Sequence, residues 1–182
     1  MGKIVILTGS PRRKGNTNTM VKSFAETALA KGHEVLQYDT AYMKITGCRG
    51  CDKCYSRGSP CIYKHDFNRI ADDILGADFI LIAAPVYWYT FPSQIKVLID
   101  YFYAFCVGGK DFKGKKCALI SCCAESTMDT FDGIKFSFER TMQYLQCEIV
   151  DEILIPDVTA PEDIKKTDGE KKATALAMSL DL

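Results

Sequence analysis

Apolar residues in this chain come in two kinds of block. Short unbroken runs, such as Ile4-Val5-Ile6-Leu7 and Phe79-Ile80-Leu81-Ile82-Ala83-Ala84, have the length and β-branched content of strands buried on both faces. Between such runs apolar residues recur every three or four positions. Met20, Val21, Phe24, Ala25 and Ala28 make one such set, and Ile95, Leu98, Ile99 and Phe102 another, each marking one face of a helix. The pattern predicts strands at about 3–8, 33–39, 79–84, 115–122 and 149–155. It predicts helices at about 17–31, 66–74, 91–105, 131–146 and 169–180, the second capped by Asp66, with irregular chain from about 40 to 65. Strand–helix alternation throughout predicts an α/β fold, a doubly wound parallel sheet with helices on both faces. There are no internal repeats or low-complexity tracts, and residues 1–182 read as a single domain.

Composition narrows the setting. Acidic and basic residues balance at 23 each, so overall charge points to neither nucleic acid nor an anionic membrane. The apolar runs are strand-length, too short to cross a bilayer, and the amino terminus enters the first strand directly, which leaves no space for a signal peptide. Nine cysteines without a secretion signal imply a reducing compartment, where thiols act as ligands or core residues, and the expected location is cytoplasmic.

The candidate chemistry begins where the first strand ends. Gly9-Ser10-Pro11-Arg12-Arg13-Lys14-Gly15-Asn16-Thr17-Asn18 joins a buried strand to a helix, an arrangement that aims backbone N–H groups and a positive dipole end at one point. Gly15 is followed by Asn16-Thr17 rather than Lys-Ser or Lys-Thr, so this is no Walker loop, and no G-x-G-x-x-G is present. Ser10, Asn16, Thr17 and Asn18 offer neutral donors and Arg12 a charged one, a set suited to a phosphate monoester without a metal. The plainer alternative is a surface turn with Asn16 or Thr17 as helix cap, but a cap needs one such residue, not four. A second segment, Pro85-Val86-Tyr87-Trp88-Tyr89, ends the third strand: Pro85 removes a ladder donor and turns the chain out at the sheet's carboxyl end, where ligands bind in such folds. Free N–H groups from Val86 to Trp88, flanked by aromatic surface, suit a flat heteroaromatic ring. The aromatics equally suit a subunit contact.

G-S-P-R-x-x-G-N-T after the first strand, followed by P-V-Y-W after the third, resembles the flavodoxin-like NAD(P)H-dependent FMN reductases and their iron–sulfur flavoprotein relatives. The resemblance runs from the first strand to the end of the fifth. It implies a flavodoxin-like five-stranded sheet of order 2-1-3-4-5, whose switch point lies beside the two strands that carry these loops. It also implies FMN, with Ser10, Arg12, Asn16, Thr17 and Asn18 around the phosphate and Pro85, Val86, Tyr87 and Trp88 at the isoalloxazine. By position, Cys122 and Ala124 in the small-residue loop after the fourth strand would approach the ring's pyrimidine edge, and Phe131 would help shape the site. Vicinal Cys122-Cys123 invites a redox reading, but strand-end cysteines usually serve as small hydrophobes.

Cys48, Cys51, Cys54 and Cys61 form C-x2-C-x2-C-x6-C. Three readings stand: no metal, a 4Fe-4S cluster on a compact cysteine motif, or a structural zinc. Iron–sulfur flavoproteins carry a cluster on a similar motif at this place, which the resemblance extends to these four residues. His33 is expected at the surface, and His65 at the start of a helix, also exposed. Lys165, Lys166, Lys171 and Lys172 are expected in solvent, and the region after the fifth strand carries no motif, so only packing is expected of it. The function implied is an FMN-dependent oxidoreductase, homodimeric or homotetrameric, passing electrons from NAD(P)H to a small acceptor such as a quinone, nitroaromatic or flavin. The alternatives are an electron carrier that never meets nicotinamide, and a flavin-free binding domain on the same scaffold.

Overall fold

The computed structural model describes residues 1–182. Five parallel strands, β1 (Lys3–Thr8), β2 (Glu34–Asp39), β3 (Phe79–Pro85), β4 (Lys116–Cys122) and β5 (Glu148–Ile155), lie in the order β2-β1-β3-β4-β5. This is the order expected from the sequence. Alternate residues of each central strand feed two cores. Ile4 and Ile6 of β1 pack with α1 (Asn16–Ala30) and α6 (Gly169–Ser179) on one face. Val5 and Leu7 pack on the other face with α2 (Phe67–Leu75), α3 (Ser93–Asp100), α4 (Phe102–Val107) and α5 (Asp132–Tyr144). Burial on both faces is why β1, β3 and β4 read as unbroken apolar runs. Each fully buried Ile, Leu or Phe contributes about 1.5–3 kcal/mol.

The structure corrects four local expectations. The helix predicted over 91–105 is two helices. It bends at Tyr101, whose N–H donates to Leu98 O at 3.0 Å and whose carbonyl accepts the Ala104 N–H at 2.9 Å, both tightened three-residue bonds. Buried Tyr101 packs in a cluster with Phe67 and His65, with ring centroids 4.9 and 4.5 Å away, and packing overrides the continuous helical period there. Asp66 does not cap α2; its carboxylate accepts the Lys44 N–H at 2.7 Å and thereby ties the 40–65 chain to the helix. His33 is buried rather than exposed, its Nδ1 accepting the Gly2 N–H at 3.2 Å, and burial holds its pKa down. His65 is half-buried against Tyr101.

The carboxyl ends of β1, β3 and β4 finish side by side, and each end is stitched to the next. Gly9 N–H donates to Ala83 O at 2.8 Å, Val86 N–H to Cys122 O at 3.0 Å, and Cys123 N–H to Ile155 O at 3.2 Å. Three loops with unrelated sequences therefore leave the sheet in a fixed mutual arrangement, at the switch point between β1 and β3. No helix is long and apolar enough to cross a membrane.

Candidate active site

The loop after β1 meets the helix that follows it without a side-chain cap. Gly15, in extended conformation, is the N-cap, so neither Asn16 nor Thr17 plays that part. Thr19 is the first residue of α1 whose N–H finds a helical carbonyl, Gly15 O at 3.0 Å, and the N–H groups of Asn16, Thr17 and Asn18 make no backbone bond. Those open donors and the positive end of the helix dipole face the loop. Gly15 is required by close approach: a Cβ there would lie 2.9 Å from Arg12 Cβ, 3.0 Å from Arg12 O and 3.4 Å from Ser10 Oγ. Gly9 is as constrained, since its Cβ would lie 2.6 Å from Ile95 Cγ2.

The side chains divide the work differently from the expectation. Ser10 is buried with its Oγ 3.3 Å from the Arg12 N–H, and Thr17 is buried with Oγ1 3.2 Å from Cys122 Sγ. Asn18 donates through Nδ2 to Arg12 O at 3.0 Å, which shapes the loop. The Asn16 amide donates to Ala160 O at 2.8 Å, which ties it to the segment after β5, and its backbone N–H stays open. Arg12 is exposed at the rim.

After β3 the chain makes a two-residue turn in which Tyr87 N–H donates to Thr90 O at 3.0 Å and Thr90 N–H to Tyr87 O at 3.1 Å. Trp88 (φ 48°) and Tyr89 (φ 65°) both take the left-handed conformation that such turns demand and that glycine or asparagine normally fills. With the Val86 and Tyr87 N–H groups already bonded, the free donors of this segment are those of Trp88 and Tyr89, where the sequence suggested Val86 to Trp88. Trp88 is 93% exposed and Tyr89 60%. Tyr89 O rests against α5 at Gly133, where a Cβ would lie 2.2 Å away.

One cavity of about 240 Å³ joins these pieces, lined by Ser10, Arg12, Thr17, Pro85, Val86, Tyr87, Cys122 and Ala124 among others. Gly15 and Asn16 also line it, as do Cys123, Val158 and Thr159. A second hollow of about 230 Å³ continues from Val86 to Trp88, Tyr89, Glu125 and Thr130. Asn18 stands behind the loop rather than on the cavity wall, and Phe131 lies wholly in the core. Val158 and Thr159 were not foreseen, because no motif marks the segment after β5. A larger groove of about 740 Å³ between α3–α4 and α5, with Phe102, Tyr103 and Tyr144 on its walls, contains none of the predicted site residues. The phosphate-sized cradle, unspent N–H groups and buried hydroxyls at one end, with exposed aromatics and free N–H groups at the other, fit a flavin mononucleotide.

The vicinal cysteines are not poised for thiol chemistry. Burial raises the Cys122 thiol pKa and lifts that of Cys123 to about 11, and Cys123 Sγ donates to Glu125 O at 3.3 Å. Both stay protonated at neutral pH. Replacing Cys122 and Cys123 together by alanine is expected to leave turnover within about threefold; a loss of two orders of magnitude in steady-state rate would make them a redox pair.

The 40–65 chain brings Cys48, Cys51, Cys54 and Cys61 into one neighbourhood. The Cys54 thiol is held up by burial first and then by Cys61, Cys48 and Cys51. Asn68 clamps the Cys61 peptide through two bonds, of 2.9 and 3.0 Å, and Gly50 N–H points at Cys48 Sγ from 3.5 Å. No three of these thiols, nor any other three His, Cys, Asp or Glu, gather round a single point as one ion would need. Four thiols in one neighbourhood are the donor type that a 4Fe-4S cluster and a zinc both take.

Residues 2–130 match the family model of the NADPH-dependent FMN reductases. Among curated relatives, an iron–sulfur flavoprotein of Methanocaldococcus jannaschii is 33% identical over 98 residues, 54% of this chain and 49% of that protein. One of Methanosarcina thermophila is 32% identical over 101 residues, 54% of this chain and 51% of that protein. The chain thus spans about half the length of the curated relatives it matches. Among solved structures, an azoreductase of Bacillus anthracis superposes with a TM-score of 0.77 over 99% of this chain and 100% of its own, at 14% identity. An NAD(P)H:quinone oxidoreductase of Methanothermobacter marburgensis gives 0.77 over 100% of this chain and 98% of its own, also at 14% identity. At such identities the superpositions speak for the flavodoxin-like fold alone. The family match spans the loops after β1 and β3, two of those that wall the cavity, and with it the chain belongs to the NADPH-dependent FMN reductase family.

Proposed function

We propose that residues 1–182 form one FMN-binding unit that passes electrons from NAD(P)H to a small acceptor of the quinone, nitroaromatic or flavin type. The observation that carries this reading is the convergence of the loops after β1, β3 and β4 on one cavity at the switch point. FMN, when bound, accepts a hydride equivalent from the nicotinamide and hands its electrons on. The chain's part is to bind and orient. The N–H groups of Asn16 and Thr17, the hydroxyls of Ser10 and Thr17, and Arg12 hold the phosphate end. The turn at Tyr87–Thr90 borders the ring and, with Trp88 exposed, leaves an aromatic surface beside which a flat substrate can stack. No histidine, aspartate, glutamate or lysine lines the 240 Å³ cavity, which suits a transfer that the flavin performs by itself.

The test is steady-state oxidation of NADH and NADPH by the FMN-loaded protein with a quinone. A rate that requires FMN is expected; a rate no higher than background with either nucleotide would favour a carrier instead.

A second reading rests on the four neighbouring cysteines of the 40–65 chain. Cys48, Cys51, Cys54 and Cys61 would hold a 4Fe-4S cluster, as the names of the curated relatives suggest, and the cluster would supply one-electron transfer. Iron and sulfide assayed in equal amounts on protein purified without oxygen would support it; protein that takes up neither under reconstitution would remove it.

A further inference from the structure

The chain after β5 returns to the cavity. Val158 N–H donates to Cys123 O at 2.9 Å and Asp157 N–H to Glu125 O at 2.9 Å, which fasten this segment to the loop after β4. Asp157 (φ 58°) and Glu162 (φ 70°) are both left-handed, so two strained residues bracket the stretch that touches the cavity. Within it, Asp163 Oδ2 accepts the Ala160 N–H at 2.7 Å and the Thr159 Oγ1–H at 3.3 Å. Lys166 holds the other oxygen of Asp163 at 2.8 Å. Ile164 is buried against α1 and α6, and its N–H donates to Asn16 Oδ1 at 3.5 Å while Asn16 Nδ2 donates to Ala160 O at 2.8 Å. The first residue of α1 thus grips this segment with both ends of its amide. Thr159 lines the cavity with Ser10, Arg12 and Thr17, and its N–H makes no backbone bond.

We infer that residues 158–164 are an arm that completes the phosphate site, in which Thr159 is a ligand of the FMN phosphate, Asn16 is the latch that docks the arm, and Asp163 is the positioning residue for Thr159. The inference rests on the FMN reading above. Thr159 lines the same cavity as Arg12, with a free N–H and a hydroxyl whose present bond to Asp163 is long enough to exchange for a charged oxygen. Asp163 keeps the Ala160 N–H in that exchange, so the arm's turn survives it. Asn16 spends its amide oxygen and one of its two amide N–H groups on the arm, which makes the side chain a latch.

The arm makes a distinction that activity alone would miss. Binding of FMN and of riboflavin, which lacks the phosphate, is compared by flavin fluorescence for the wild type, Thr159→Val and Asn16→Ala, with hydrogen exchange followed across residues 157–168 in the flavin-free proteins. Thr159→Val should weaken FMN about tenfold, as loss of one bond to a charged group does, with riboflavin unchanged and the arm's exchange as in the wild type. Asn16→Ala should weaken FMN and also speed exchange across the arm before any flavin is added. Wild-type FMN affinity in Thr159→Val, or weaker FMN in Asn16→Ala with exchange unchanged, would overturn the inference. A wild-type protein that binds FMN no better than riboflavin would overturn the phosphate reading itself, and the arm's role with it.

Discussion

Gly15→Ala should cost FMN about a hundredfold in affinity while riboflavin binding stays near that of the wild type. The added Cβ has nowhere to go: it would sit 2.9 Å from Arg12 Cβ and 3.0 Å from Arg12 O, and one of these is backbone. Relief requires the 10–15 loop to swing off the start of α1. That movement separates the Ser10 hydroxyl and the Arg12 guanidinium from the N–H groups of Asn16 and Thr17, which together form the cradle. Gly15 itself is extended, not left-handed, so the penalty is one of packing, about 1–3 kcal/mol of stability by comparison with other overpacked sites. Fluorescence titration with both flavins and a thermal melt check the two halves of this prediction. Equal weakening of FMN and riboflavin would place the loop at the ring instead of the phosphate.

The complementary change is Gly133→Ala, expected to weaken FMN and riboflavin alike by about tenfold or more and to lower turnover. Here the obstructing atom is Tyr89 O, which would lie 2.2 Å from the new Cβ. The turn at Tyr87–Thr90 must lift away from α5, and with it go the free N–H groups of Trp88 and Tyr89. The turn already carries two non-glycine residues in the left-handed region, at a cost of about 1–2 kcal/mol each. Backbone strain kept beside a binding cavity points to use. Trp88→Asn together with Tyr89→Gly, which supplies the residues this turn prefers, should therefore raise stability by about 2 kcal/mol while slowing turnover. A denaturant titration beside the steady-state assay reads both effects; a double variant with higher stability and full turnover would make the two aromatics dispensable.

The sequence exposed the sheet almost completely. Ile4–Leu7 and Phe79–Ala84 are buried on both faces, and a continuous apolar run has only that meaning in an alternating chain. The cavity's first two walls were equally legible, because a Gly-bounded polar loop and a proline at a strand end are local signals. What escaped detection depends on contacts distant in sequence. Nothing near Thr159 hints that Asn16, 144 residues earlier, holds its neighbour Ala160. Val86 and Tyr87 lost their N–H groups to Cys122 and Thr90, partners that a strand-end reading does not reveal. His33 was placed in solvent because it opens a strand, whereas the adjacent amino terminus covers it. The even charge balance also concealed a bias: residues 11–69 hold eleven Lys and Arg against five Asp and Glu, with Arg12, Arg13 and Lys14 in the loop that borders the cavity.

The central claim is that the cavity at the ends of β1, β3 and β4 holds an FMN that nicotinamide can reach. The direct test is to load the protein with FMN, remove free flavin and oxygen, and add NADPH or NADH while recording the visible spectrum. The account predicts that flavin stays with the protein and that its two yellow bands bleach on addition of stoichiometric nucleotide. Flavin that washes away, or bound flavin that neither nucleotide bleaches, would contradict it.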